Sequence, residues 1–301
     1  MSTNFNEKKM ERKSRNLIKK TPAFIIFFAT TFLILCIHAM LLIYPYVWLF
    51  LNSLKNSFEF YTTNTMLLPQ KWLFSNYADI FDVFVDEKGN TYITMLFNSL
   101  WWTAANSIPS MFISCMVAYV VEKFDFRGKD IIWGVIIIMM ILPLYGSGAA
   151  GYKLTFTLGL YDSPLLVIRS WGGYGGFAFM MLSAFFRGLP RDYMDAAEID
   201  GAGYFRTFVT IMLPIAMGPI VALLVKSFIG CWNEYMTMII YMPSFPTLSS
   251  ALYTFEKKMA NGANVVIYYA GALITIIPVL VLFTCFQDVF LNNVSFGGLK
   301  G

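Results

Sequence analysis

Asp195-Ala196-Ala197-Glu198-Ile199-Asp200-Gly201-Ala202-Gly203, followed by Ile211-Met212-Leu213-Pro214, is a charged, alanine-rich stretch set between two long apolar segments. Its local chemistry predicts a short, rigid, protruding helix. Pro190 ends the preceding apolar run and suits a first helical turn. Asp192 is placed to cap the new helix, with Asp195 three residues on in the capping-box position. Both acids also favour the positive end of the helix dipole. Ala196 and Ala197 predict a thin surface that another backbone can approach. Gly201 stands where a left-handed C-terminal cap is wanted. A second helical stretch from Tyr204 runs to Pro214, where the chain re-enters an apolar segment.

Working outward, 57% of the 301 residues are hydrophobic and 13% charged, with a mean hydropathy of +0.61, which excludes a soluble domain. Apolar runs of about 20 residues suffice to cross a hydrocarbon core about 30 Å thick. Six are expected, at roughly Phe24–Leu51, Met95–Val121, Ile131–Ala150, Leu165–Phe186, Pro214–Met242 and Val265–Phe290. Glycines interrupt the third and fourth. No ten-residue alternating strands occur, so the reading is an all-α integral membrane protein and not a β-barrel.

Basic residues set the expected orientation. Lys8, Lys9, Arg12, Lys13, Arg15, Lys19 and Lys20 precede the first span. Lys123, Arg127 and Lys129 follow the second; Arg187, Arg191 and Arg206 follow the fourth. The loop after the first span is net acidic. The positive-inside rule then places both termini and the Asp195–Pro214 loop in the cytoplasm. The first apolar run is too long for a signal peptide and no small-residue cleavage site follows it. The organisation is a basic tail over 1–22 and one transmembrane domain over 23–301, with the protruding element at about 189–214. Cys36, Cys115, Cys231 and Cys285 all fall in expected spans without metal-ligand spacing and read as buried small hydrophobes. His38, the single histidine, reads as a packed or hydrogen-bonded core residue.

The acid-Ala-Ala triplet, the Gly four residues after it and the Ile-x-Leu-Pro ten residues later resemble the cytoplasmic coupling motif of ABC importer permeases. Asp195 stands where that family carries Glu, keeping the charge on a reach one methylene shorter. Other landmarks are similar to the sugar-permease branch typified by maltose importers. They are Ser53-Leu54-Lys55, Asn76-Tyr77, Phe97-Asn98-Ser99, Ala118-Tyr119, Phe124-Asp125-Phe126-Arg127-Gly128, Leu158-Gly159-Leu160, Trp232-Asn233 and the closing Lys300-Gly301. They run in order over residues 45–301. Phe296-Gly297-Gly298-Leu299 departs from the family's usual Ala-Gly-x-Val.

The resemblance implies a type I ABC importer permease fold with a coupling helix between spans four and five. It also implies docking on an ATPase through Asp195, Ala196, Ala197, Asp200, Gly201, Ile211, Leu213 and Pro214. The implied partners are a second homologous permease, two ATPase subunits and an extracytoplasmic solute-binding protein, in the lipid bilayer of a prokaryotic plasma membrane, with no nucleic acid. ATP and Mg would belong to the ATPase subunits; this chain would bind no cofactor and no metal.

Charged groups at membrane depth are functional candidates. Arg169, at the outer end of the fourth span, reads as a snorkelling anchor. Lys226 lies twelve residues past Pro214, about 18 Å along a helix and near the midplane. It is either a cation of the solute path or one half of a structural pair with a partner subunit. Trp232, Asn233 and Glu234 suit a sugar, through ring stacking and hydroxyl bonding, or helix packing and gating, which is the preferred reading.

No Gly-x-x-x-x-Gly-Lys-Ser/Thr loop, Gly-x-Ser-x-Gly elbow, His pair or Cys cluster occurs, so a non-catalytic subunit is expected. The competing class is a secondary transporter or channel subunit acting without an ATPase. Such carriers usually show related halves and midplane acids, and neither is found here. The expected function is therefore an importer permease for a carbohydrate, with an oligosaccharide as the size class.

Overall fold

The computed structural model describes residues 21–142, 147–171, 176–259 and 264–293. The basic tail over residues 1–20 and the closing Phe296–Gly301 lie outside them. Among the described residues every regular element is helical.

Helix α1 (Pro22–Ser53) starts on a proline that needs no N–H partner. Short helices α2 (Ser57–Thr62) and α3 (Asn76–Val83) lead to α4 (Tyr92–Lys123). Then come α5 (Lys129–Ile141), α6 (Ser147–Thr157), a 3-10 turn over Pro164–Leu166, α7 (Val167–Trp171) and α8 (Phe177–Gly188). The chain continues through α9 (Asp192–Ile199), α10 (Tyr204–Thr207), a π-turn over Phe208–Met212, α11 (Leu213–Ile215), α12 (Met217–Asn233), α13 (Met236–Tyr241), α14 (Leu248–Met259) and α15 (Val265–Asn293).

Three helices, α1, α4 and α15, are each long and apolar enough to span a membrane, and α10–α12 qualify together as a span bent by 78°. The bend follows Pro214, whose missing N–H and ring crowding disfavour regular pairing with the turn before it. The third and fourth expected spans are each divided, into α5 with α6 and α7 with α8. α5 ends at the extended Leu142 and α8 starts after Gly176 at φ +120°, while residues 143–146 and 172–175 lie outside the described residues. The fifth span ends at Asn233, short of the expected Met242. Glu234 turns extended, and its carboxylate accepts the Thr237 N–H at 3.1 Å through both oxygens, starting α13 anew.

Among the described residues the bundle core has three apolar clusters. One, at the α9 end, joins Cys115, Tyr119, Phe179, Leu182, Phe186, Phe208 and Met212 from α4, α8 and the π-turn. A second, at the opposite end, gathers Ile80, Phe84, Tyr92, Trp232, Leu248 and Phe255. A third packs Trp102 and Leu166 against Met238 and Met242. Along the most apolar stretch of α1 no residue is buried within this chain. His38 is accordingly exposed, and of the four cysteines only Cys115 is buried, while Cys285 is exposed.

Several ordered dipeptides of the sequence prove to be clasps. Asn76 Nδ2 donates to the carbonyls of Ser53 (2.7 Å) and Lys55 (2.9 Å), and the Ser53 and Tyr77 hydroxyls meet at 2.8 Å. Asn98 donates to the Pro246 carbonyl at 3.0 Å, while Ser99 accepts the Leu248 N–H at 2.8 Å. Gly159, at φ +68°, closes α6.

Candidate coupling element and translocation face

Helix α9 begins one residue earlier in role than the spacing predicts. Asp192 is its first helical residue and makes no cap. The turn is instead opened by the Arg191 carbonyl, which accepts the N–H groups of Met194 (2.7 Å) and Asp195 (3.1 Å). Asp192 and Asp195 keep their place in the first turn, at the favourable dipole end. Gly201 closes the helix at φ +75° as expected. Its N–H donates to the Glu198 carbonyl at 3.0 Å and the Ala202 N–H reaches the Ala197 carbonyl at 2.9 Å. These paired bonds form a Schellman motif. Asp200, the C-cap, is exposed.

The two alanines separate. Ala196 faces solvent, whereas Ala197 is buried against its own chain, so one alanine and not two forms the thin surface. The exposed apolar side chains nearby are Ile199 (86% exposed), Tyr204 (69%) and Phe205 (67%). Ile211 and Leu213 are packed partly against the α9-end core cluster and Pro214 is exposed, so these residues join the protrusion to the bundle. Asp195 lines a small cleft shared with Lys123, Arg191, Glu198 and Tyr204.

Polar contacts that the sequence did not single out hold the root of α9. Arg187, ending α8, pairs with Glu122 of α4 through two bonds, Nε–Oε2 at 3.0 Å and Nη2–Oε1 at 3.1 Å. Trp133 of α5 also donates to Glu122 Oε1 at 3.1 Å. Lys123 Nζ donates to the Leu189 carbonyl at 2.6 Å, and Arg191 donates to the Lys123 carbonyl and to Asp125. That last contact, with Lys129 beside it, holds the Asp125 carboxyl below the usual carboxylate range. In sequence Lys123, Lys129, Arg187 and Arg191 read only as orientation charges, and Glu122 is not singled out. The available signal was a Glu-Lys pair abruptly ending an apolar run.

On α12, Lys226, Gly230 and Asn233 are exposed along one face, at spacings of four and three residues. Lys226 Nζ sits 4.2 Å from the Phe177 ring centroid, a cation–π contact. A charged residue at a helix centre costs about 2.5–3.5 kcal/mol on insertion scales, so this face is a poor one to show to lipid. Asn233 Nδ2 is spent on the Ile229 carbonyl of its own helix. Trp232 takes the packing alternative: it is 1% exposed, stacks on Phe228 and donates Nε1–H to the Thr275 carbonyl at 3.1 Å. Arg169 is exposed, with its guanidinium over the Tyr241 ring, 4.6 Å from the centroid, and donating to Thr155 Oγ1 at 3.1 Å.

A bent span preceded by a capped, solvent-exposed helix is therefore the central feature of this bundle. The sequence pattern of the family described as binding-protein-dependent transport system inner membrane component matches residues 99–295, which contain that whole feature.

The chain belongs to this family.

The permease is 28% identical over 95% of its length to the whole of the arabinooligosaccharides transport system permease protein AraQ of Bacillus subtilis (strain 168). It is 27% identical over 91% of its length, and 89% of the relative's, to the diacetylchitobiose uptake system permease protein NgcG of Streptomyces coelicolor. Its fold is that of a chain in the crystal structure of a bacterial ABC transporter involved in the import of the acidic polysaccharide alginate. That match has a TM-score of 0.70 at 21% identity, covering 89% of this chain and 98% of the other. The permease is thus a membrane component of a transport system with the all-α type I fold expected from its sequence.

Proposed function

We propose that this permease is the non-catalytic transmembrane subunit of an ATP-driven ABC importer for a carbohydrate, with an oligosaccharide as its size class. The observation that carries the coupling half of the proposal is the Schellman-capped α9. Ile199 at its end and Tyr204 and Phe205 at the start of α10 are presented to solvent, while its root is fastened to α4 and α8. Exposed apolar groups on a rigid protrusion suit a protein partner. The sugar half rests on the named relatives, whose systems carry arabinooligosaccharides and diacetylchitobiose.

In this reading α9 lies in the cytoplasm, with both termini and the basic tail 1–22 on that side, in a prokaryotic plasma membrane. Asp195, Ala196, Asp200 and Gly201 meet one of two ATPase subunits, which bind ATP and Mg. Ala197, Ile211, Leu213 and Pro214 support that surface from behind. A second homologous permease lies across the solute pathway from the Lys226–Asn233 face of α12, with Glu234 at its outer end. An extracytoplasmic solute-binding protein delivers the solute. Closure of the ATPases moves α9, and α4 and α8 follow because their ends are bonded to its root.

Affinity purification of the tagged chain from its native membranes in mild detergent, with mass spectrometry of stoichiometric companions, tests this. A P-loop ATPase and a second permease should accompany it, and Gly201→Asp should weaken the ATPase's recovery. Recovery of the chain alone or as a homo-oligomer would instead favour a carrier that works without an ATPase.

A further inference from the structure

The exposed face of α12 runs directly into a cleft that holds a second cation. Gly230, one helical turn beyond Lys226, lines a cavity of about 330 Å³ together with Asn106, Arg169, Ser170, Glu234 and Thr237. Four residues are about 6 Å of helix rise, so Lys226 stands about that far along α12 from the residue that opens onto the Arg169 cleft. Among the described residues neither Arg169 nor Lys226 belongs to an ion pair. Arg169 carries five N–H donors, of which one is spent on Thr155. Its stacking on Tyr241 fixes the plane of the fork without using its donors. Glu234 is the one carboxylate lining the cleft, and both its oxygens already accept from the Thr237 N–H. With Lys226 beside it, this surface has a net positive charge and unspent donors. Ser170 and Asn106, bonded to each other, add neutral polar groups to the same wall.

We propose that Arg169 and Lys226 form a two-step cationic lane that selects carboxylate-bearing oligosaccharides, the uronic-acid class, for passage. The proposal rests on the carbohydrate-importer reading above and names its substrate class. A planar guanidinium fork matches a carboxylate through two parallel bonds. The more flexible ammonium of Lys226 can receive the same group one turn further along. Lane charges with no ion-pair partner among the described residues attract an anionic solute and are satisfied by it. A neutral sugar leaves them unsatisfied.

The test uses the complete importer, purified with its companions and reconstituted in lipid vesicles with its binding protein. ATP-dependent uptake is measured for trigalacturonate, a mannuronate trimer, maltotriose and glucose 6-phosphate. The expected result is uptake of a uronate trimer but not of maltotriose. Arg169→Gln and Lys226→Gln should each reduce that uptake by about tenfold or more, the scale of one charge-assisted hydrogen bond. Lys226→Arg should retain most of it, and ATPase recovery should stay at the wild-type level in all three variants.

Uptake of maltotriose that neither glutamine variant alters would overturn the lane while leaving the importer reading intact. So would preferential uptake of glucose 6-phosphate, or an assembled, ATP-hydrolysing complex that carries none of the four. Loss of the second permease on purification of either glutamine variant would show that the cations pair with that subunit, and would also overturn the lane. Failure of the importer reading has its own signature, which is the absence of any ATPase from the purified wild-type complex.

Discussion

Glu122 and Arg187 face each other across the ends of α4 and α8, and their two bonds at 3.0 and 3.1 Å tie those helices together beside the root of α9. Glu122 is nearly buried, with 5% of its side chain exposed against 64% for Arg187. Removing the arginine therefore strands a carboxylate that retains only the Trp133 N–H. Arg187→Met should destabilise the detergent-solubilised permease by about 1–2 kcal/mol, discounted for the exposure of the arginine. It should also lower uptake per ATP hydrolysed. Glu122→Gln, which can still accept from Trp133, should cost less. Equal unfolding midpoints for wild type and Arg187→Met would remove the pair from the coupling account.

At Gly201 conformation and contact can be separated. A Cβ built there meets nothing within 4 Å, so the strain of Gly201→Ala comes from φ +75° alone, roughly 1–2 kcal/mol. Gly201→Asn tolerates that conformation better and should restore the helix end. Gly201→Asp should insert normally yet uncouple uptake from ATP hydrolysis, because it places a charge on the docking surface. Wild-type uptake by Gly201→Asp would refute the docking assignment.

Trp232→Phe tests the packing reading. Loss of the indole N–H leaves the Thr275 carbonyl without that partner inside the bundle. The expected cost is about 1 kcal/mol, read as a lower unfolding midpoint. The relative uptake rates of different sugars should not change; a switch in sugar preference would return Trp232 to the solute path.

Asp162 is the single non-glycine residue with positive φ among the described residues, at +51°. Its carboxylate accepts the Ser244 N–H (2.8 Å) and hydroxyl (2.6 Å), and Lys88 donates to the same hydroxyl at 2.7 Å. Three loops therefore meet at this point. Asp162→Asn keeps the favoured conformation and one acceptor, and should be mild. Asp162→Ala loses both and should destabilise by about 1–3 kcal/mol. Protease susceptibility of the loops provides the readout, and equal digestion of the two variants would contradict the prediction.

The Arg191–Asp125 contact has a defined pH dependence. Because the folded-state value of Asp125 is depressed, its contribution is present above the ordinary carboxylate range and is lost as pH falls through the lowered value. The unfolding midpoints of wild type and Asp125→Asn should therefore differ by a constant amount at neutral pH. They should converge only under acid conditions. Convergence already near pH 7 would exclude the carboxylate as the source.

The sequence by itself determined the class of the protein, the helical protrusion and its left-handed glycine. Each of these depends on neighbouring residues: apolar runs long enough to span, and one position that only glycine adopts without strain. Gly201 and Pro214 could be assigned from local chemistry alone. The helix start at Asp192 was misread because the Arg191 backbone carbonyl opens the turn where a side-chain cap seemed available. Spacing also cannot say which of Ala196 and Ala197 faces inward, since that depends on how α9 rests on the bundle.

Tertiary structure alone decided that Trp232 is buried, that Arg169 meets Tyr241 and Thr155, and that Glu122 meets Arg187. The partners in these contacts are 43 residues apart for Trp232–Thr275 and 65 for Glu122–Arg187. A single sequence carries no signal for pairs so distant. The orientation of a side chain inside a membrane bundle is set by which helices pack together, and local periodicity does not report that.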